Sequence, residues 1–219
     1  MSDAPSSRQL HENKVYNHGN CFYQFRSTLN GLKRVNTKYC IKVRSDEAYT
    51  NFDEIIKKTL DCEGKKLVTT NTFFRRIDTF PWHPSDHVIS SNTEHMINVF
   101  QRSVDFCLRG GFFSDEDLNN IKGNEKYGNK SYETRLTKEE NGGLIRHSSI
   151  KTMPCMWPEM ILGMNHLLQS RVYIDVDRYK TIMKENFDVV NNDSMGRVHI
   201  EPKTHHETRF SQSSNLYIS

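Results

Sequence analysis

Residues 80–87 read Phe-Pro-Trp-His-Pro-Ser-Asp-His, and no other stretch restricts the chain so firmly. Pro81 and Pro84 fix their own φ, remove two backbone donors and push the residues before them toward extended conformations. Neither a helix nor a central strand can run through such a segment, so it must be a turn or a joint between the elements on either side of it.

Upstream, Gly19 to Arg26 is rich in aromatic residues, Leu29-Asn-Gly-Leu32 carries an Asn-Gly turn signal, and Thr37 to Arg44 alternates apolar with basic residues. That pattern predicts a β-hairpin. Ser45 or Asp46 then caps a helix to Leu60, in which Tyr49, Phe52, Ile55, Ile56 and Leu60 recur at helical spacing. A third strand is expected at 66–74. Downstream, Ser91 or Asn92 caps a helix over Thr93–Leu108 that Gly110 and Gly111 terminate, and Ser114 with Asp117 starts a short helix to Ile121. Residues 123–141 are polar and read as a loop. A strand over 144–150, a helix from Pro158 to Leu168, a strand over 171–176, a helix from 178 to 187 capped by Asp177, and a short strand near 197–200 complete the pattern. The fold class is therefore α+β, an N-terminal β-β-α-β portion packed against a mainly helical C-terminal portion. Residues 1–13 read as a disordered tail, 14–190 as one domain with a joint at 80–90, and 191–219 as a flexible tail.

The 219 residues (25.7 kDa) suit one large domain, and a formal charge of +3 names no partner. Ala stands only at positions 4 and 48 against 19 Asn, a bias that suits an A·T-rich coding sequence such as a virus carries. No window approaches the ~20 apolar residues of a membrane span, and the first residues carry no apolar signal core. A soluble, intracellular protein without a membrane partner is expected. Cys21, Cys40, Cys62, Cys107 and Cys155 are dispersed, with no C-x-x-C pair, and read as reduced structural thiols.

Resolved along the chain, the charge is uneven. Residues 1–45 hold eight basic and two acidic residues, a net +6, while the other 174 residues sum to −3. In the expected hairpin, Phe22 and Arg26 share a face with Lys38, Lys42 and Arg44, and Lys33 and Arg34 lie in the connecting loop. A basic face neutralises phosphates and an exposed ring stacks a base, so the leading expectation is a non-enzymatic nucleic-acid-binding module that favours RNA over DNA. Lysines that blunt an exposed strand edge produce the same pattern. The second expectation is a protein-interaction or assembly subunit docking through Trp82, Phe112 and Phe113.

Other constellations carry less. His83 and His87, with Asp86 and His95, have metal-like composition, but Pro84 between them prevents a helical pair, so no metal site is assigned. Asp175 and Asp177 near Lys180 have the alternating pattern of a magnesium-dependent nuclease or nucleotidyl transferase, the third expectation. Without a third carboxylate or a phosphate loop they read better as a surface residue and a helix cap. His205-His206 lies in the expected tail. No G-x-S-x-G, H-E-x-x-H, G-x-G-x-x-G or phosphate-binding loop occurs, and no cofactor is expected.

Overall fold

A computed structural model describes residues 15–17, 20–72, 82–111, 113–122 and 157–199. Its first element corrects the expected hairpin: the aromatic run is helix α1, Cys21–Leu32. Cys21, Phe22, Phe25, Leu29 and Leu32 are buried along it. Over Cys21–Phe25 alone the apolar residues fit a strand, but Leu29 and Leu32 extend the stripe at the 3.6-residue period and decide for helix.

After α1 the chain runs β1 (Tyr39–Val43), β2 (Glu47–Tyr49), α2 (Asp53–Asp61), β3 (Leu67–Thr70), β4 (Val88–Asn92) and α3 (Thr93–Leu108). Then come α4 (Asp115–Asn119), β5 (Ile121–Lys122), α5 (Pro158–Gln169), β6 (Ile174–Asp175), α6 (Tyr179–Asn186), β7 (Phe187–Val190) and β8 (Arg197–His199). The class is α+β, with helices and mixed sheet in both portions. The β-β-α-β order is present, one element later than expected, and residues 47–49, expected to open a helix, form a strand paired with β8.

The main sheet has the order β1-β4-β3-β7, with β4 antiparallel to β1 and β3, and β7 parallel to β3. Strands β1, β3 and β7 thus point the same way. Both faces of the sheet are covered. Leu67, Ile89 and Phe187 join the large core with Phe25, Phe100, Phe106 and Met160, while Val68, Val88 and Val190 pack with Ile55 of α2 and Met195 on the other face. Burial on both faces is why these strands lack a clean apolar-polar alternation.

Helices α1, α3 and α5 pack together on the large-core side. Helix α3 has the expected boundaries, and the Asn92 side chain accepts hydrogen bonds from the backbone N–H of Glu94 (3.0 Å) and His95 (3.2 Å). Ser114 Oγ accepts from Asp117 N (3.2 Å), as its spacing implies. Helix α5 begins on Pro158, where the missing N–H costs no hydrogen bond. The expected strand at 144–150 and the polar stretch at 123–141 lie outside the described residues.

Candidate functional site

The directions of the strands bring four strand ends to one edge of the sheet: the carboxyl ends of β1, β3 and β7, and the start of β4. In open sheets with parallel strands that edge is where ligands bind. The Trp82–His87 segment lies along it, leading into β4. Thr69 Oγ1 of β3 donates to the Ser85 carbonyl at 2.7 Å, Thr70 Oγ1 donates to Ser85 Oγ at 3.3 Å, and Ser85 Oγ accepts from His87 N at 3.3 Å.

The segment is held under constraint. Trp82 has φ +59°, a left-handed conformation that costs a non-glycine residue about 1–3 kcal/mol. Its ring packs on Tyr179 with centroids 4.8 Å apart, and its backbone meets α5 at Gly163, where a Cβ would collide with the Trp82 carbonyl oxygen. Only glycine permits that approach. Every residue from Trp82 to Ser91 is buried, although His83, Asp86 and His87 are polar and ionisable. Burying such groups is expensive unless they are paired.

Their partners come from far along the chain. His87 Nδ1 lies 2.7 Å from Glu47 Oε1 on β2, and Glu47 Oε2 accepts from the Tyr49 hydroxyl at 2.7 Å. The other ring nitrogen, Nε2, lies 4.0 Å from Asp86 Oδ1. Asp86 Oδ2 accepts from the Gln24 amide on α1, and the Lys42 ammonium donates to the Asp86 carbonyl oxygen. His83 Nε2 lies 3.6 Å from Glu159 Oε2 on α5. Arg44, at the end of β1, donates from Nε and from one terminal nitrogen to the Asp46 carboxylate at 2.9 and 2.7 Å.

The charges in this cluster set each other. Burial pushes the Asp86 carboxyl up, but Lys42, His87, Arg44 and the Gln24 amide outweigh it and hold the group below its ordinary value. Asp86 is therefore an ionised carboxylate deep in the protein. Burial pulls the Lys42 ammonium below its usual range, opposed by the Asp86 charge. Asp86 Oδ1 has no hydrogen-bond donor among the described residues, although it is buried. A buried carboxylate oxygen without a donor is costly, and a ligand N–H or O–H would satisfy it.

The basic residues expected on one nucleic-acid-binding face are scattered. Phe22 is buried on α1, and Arg26 is exposed with its guanidinium 5.9 Å from the Phe22 ring centroid. Lys33 donates to Gln101 Oε1 at 3.2 Å, Arg34 is exposed beyond α1, and Lys38 lies over the Tyr39 ring. Lys42 turns inward to Asp86, and Arg44 is taken by Asp46. A helix in place of the first strand leaves no sheet face for Phe22 and Arg26 to share with Lys38, Lys42 and Arg44.

Trp82 and Phe113, expected to anchor a partner, are 3% and 4% exposed; Phe113 packs on Phe106, with ring centroids 4.8 Å apart, and Phe112 lies outside the described residues. The acidic pair is likewise local: Asp175, expected at the surface, is buried, and its Oδ1 accepts from Asp177 N at 3.0 Å, so Asp175 and not Asp177 makes the turn. No group of three or more His, Cys, Asp or Glu with metal-binding geometry occurs among the described residues. Cys21, Cys40, Cys62 and Cys107 are free thiols, and His205-His206 lies outside the described residues. Among the described residues no helix is long and apolar enough to cross a membrane.

Glu47, Gln24 and the roles of Asp86 and His87 are invisible to local motifs, because the groups that meet at Asp86 and His87 are 40 or more residues away in sequence. The signal that the sequence does carry is the density of ionisable side chains on a doubly proline-braced turn.

No curated protein and no solved structure matches the chain. A family model does: that of WavE lipopolysaccharide synthesis, over residues 3–215. That match overturns the expectation of a nucleic-acid-binding module, together with its assembly and nuclease alternatives and the viral assignment, and points to polysaccharide synthesis. Because it spans nearly the whole sequence, the chain belongs to the WavE lipopolysaccharide synthesis family.

Proposed function

We propose that the chain is an enzyme of surface-polysaccharide synthesis that transfers a glycosyl unit to a sugar hydroxyl, with His87 as the general base. The observation that carries this is the Glu47–His87–Asp86 constellation at the carboxyl edge of the sheet. Family membership supplies the substrate class.

In glycosyl transfer from a sugar nucleotide the acceptor hydroxyl oxygen bonds to the anomeric carbon as the bond from that carbon to the nucleoside diphosphate breaks. The diphosphate leaves with the electron pair, and a base takes the hydroxyl proton. In its neutral form, with the ring proton on Nδ1 and donated to Glu47, His87 takes the hydroxyl proton at Nε2. Glu47 fixes that tautomer, and Tyr49 in turn fixes Glu47. A hydroxyl oxygen within hydrogen-bond reach of both His87 Nε2 and Asp86 Oδ1 fits their 4.0 Å separation. When Nε2 takes the proton, the Asp86 carboxylate stabilises the imidazolium in a site where low dielectric strengthens the attraction. The strained, close-packed Trp82 turn holds Asp86 and His87 in register for this chemistry.

The test is release of nucleoside diphosphate from sugar nucleotides in the presence of a lipopolysaccharide-derived acceptor. Turnover that falls at least ~100-fold in Asp86→Asn supports the assignment, since general acid–base and charge-stabilising groups contribute roughly that much or more. Full turnover in a folded Asp86→Asn protein would remove Asp86 from the mechanism.

A further inference from the structure

A second set of polar groups lies at the same edge, one and two strands from Asp86. Strand β3 runs out at Thr70 into Asn71-Thr72, and β7, parallel to it, runs out at Val190 into Asn191 and a short 3-10 helix that Asn192 begins. Asn71 Nδ2 donates to Asn191 Oδ1 at 3.2 Å, and Asn192 N donates to Asn71 Oδ1 at 2.9 Å. The two ends are thereby locked side by side. Within this frame two groups find no partner among the described residues: Thr72 Oγ1, on a residue only 3% exposed, and the buried Asn192 Oδ1. Buried hydroxyls and amides are almost always hydrogen-bonded in folded proteins, and a ligand hydroxyl at this edge would satisfy both atoms.

The chemistry of the ligand follows from the groups. A threonine hydroxyl both donates and accepts, an asparagine oxygen accepts, and neither carries charge. Hydroxyls of a neutral sugar ring match that pair, since each can donate to Asn192 and accept from Thr72. Position agrees. Thr70 bonds to Ser85, the residue before Asp86, and Thr72 follows Thr70 by two residues, so the chain that carries Thr72 is tied directly to the segment that carries Asp86 and His87.

We infer that Thr72 and Asn192 form a hydroxyl-recognition subsite for the neutral hexosyl unit of a sugar nucleotide, placed next to the attacking hydroxyl. The subsite rests on the glycosyl-transfer reading for its substrate class, and on its own pair of unsatisfied groups for its location. Thr72 and Asn192 act here as binding and specificity residues.

The experiment is calorimetric titration of the full chain with uridine diphosphate glucose and guanosine diphosphate mannose, each against its free nucleoside diphosphate. Wild type is compared with Thr72→Val, which keeps the side-chain shape, and Asn192→Ala. The expected result is a roughly 5- to 50-fold weaker Kd for the preferred sugar nucleotide in each variant, with the free nucleotide unchanged. Equal affinity of wild type and both variants for the sugar nucleotide overturns the subsite, and so does failure of wild type to bind either sugar nucleotide. Turnover measured in parallel separates the two claims. Lost discrimination at Thr72 with turnover that ignores Asp86 and His87 keeps the subsite and removes the catalytic reading. Unchanged binding with turnover that requires His87 does the reverse.

Discussion

At the scale of single residues, the site depends on a few side chains whose neighbours make them unusual. Asp86 is a carboxylate kept ionised in the interior by Lys42, His87, Arg44 and Gln24, and it retains one oxygen without a protein donor among the described residues. Removing the ammonium beside it exposes that cost. Lys42→Met is expected to destabilise the fold by about 3–5 kcal/mol, as breaking one side of a buried charge set does, and to raise the Asp86 pKa. Urea denaturation of the variant checks the first, and a denaturation midpoint equal to wild type would show that Lys42 does not compensate Asp86. Gly163 is the second such position. Gly163→Ala drives a methyl group into the Trp82 carbonyl and is expected to cost about 1–3 kcal/mol or more, with turnover lost through displacement of Asp86 and His87. The residues of the 80–87 segment are conspicuous in the sequence. Their function is not, because Gln24 reaches them through the packing of α1, Lys42 through the pairing of β1 with β4, and Glu47 from β2, and none of these contacts leaves a local trace.

At the scale of elements, legibility tracks length and capping. Helix α3 has sixteen residues, an Asn92 cap and a glycine stop, so its ends are readable to the residue. Replacing the cap, Asn92→Ala, should lower stability by about 1 kcal/mol in chemical denaturation, and an unchanged midpoint would mean the two cap hydrogen bonds contribute nothing net. Helix α1 reads as a strand in the sequence because five residues of aromatic text satisfy both periods, and β-propensity favours the wrong one. The burial of Phe25 between α1 and α3, edge-on to Phe100 with centroids 6.1 Å apart, is a tertiary fact that overrides local preference. Phe25→Ala is expected to cost about 3–5 kcal/mol, whereas the exposed Arg26→Ala next to it should stay within ~0.5 kcal/mol. Denaturation midpoints of the two variants check the contrast, and equal small losses would place Phe25 outside the core. Strands β2, β5 and β6 have two or three residues each and are beyond any periodicity argument.

At the scale of the whole molecule, the α+β class is legible because both strand-like and helix-like periodicities are present in the text, although the structure distributes helices and strands over both sides of the proline pair. The sheet order is not, since β7 joins β3 across a long stretch of intervening chain and carries one of the strand ends that build the site. The same long-range closure creates a histidine pair, His166 buried and His95 half-buried, that ties three helices together. His166 Nε2 faces the Asn186 carbonyl at 2.9 Å and must donate to it, so Nδ1 accepts from His95 Nε2, 2.8 Å away. Burial, then the neighbouring His95, drive the His166 pKa down to about 3, against a slight rise from the carbonyl. Its folded pKa lies below the unfolded value near 6.5, so the unfolded chain takes up the proton first. Stability should therefore fall as pH drops from about 6.5 toward 3, by up to about 1.4 kcal/mol per pH unit from this residue. Denaturation of wild type and His166→Asn across that range checks it: the variant should show the shallower slope, and equal slopes would assign the acid sensitivity elsewhere.

All three scales meet at His87. Chemical rescue tests its role most directly: turnover of His87→Ala is measured with and without added imidazole, on protein whose urea midpoint matches wild type. Loss of at least ~100-fold, partly restored by imidazole in a concentration-dependent way, is the expected result. Turnover equal to wild type in the folded variant would contradict His87 as the base that activates the acceptor hydroxyl.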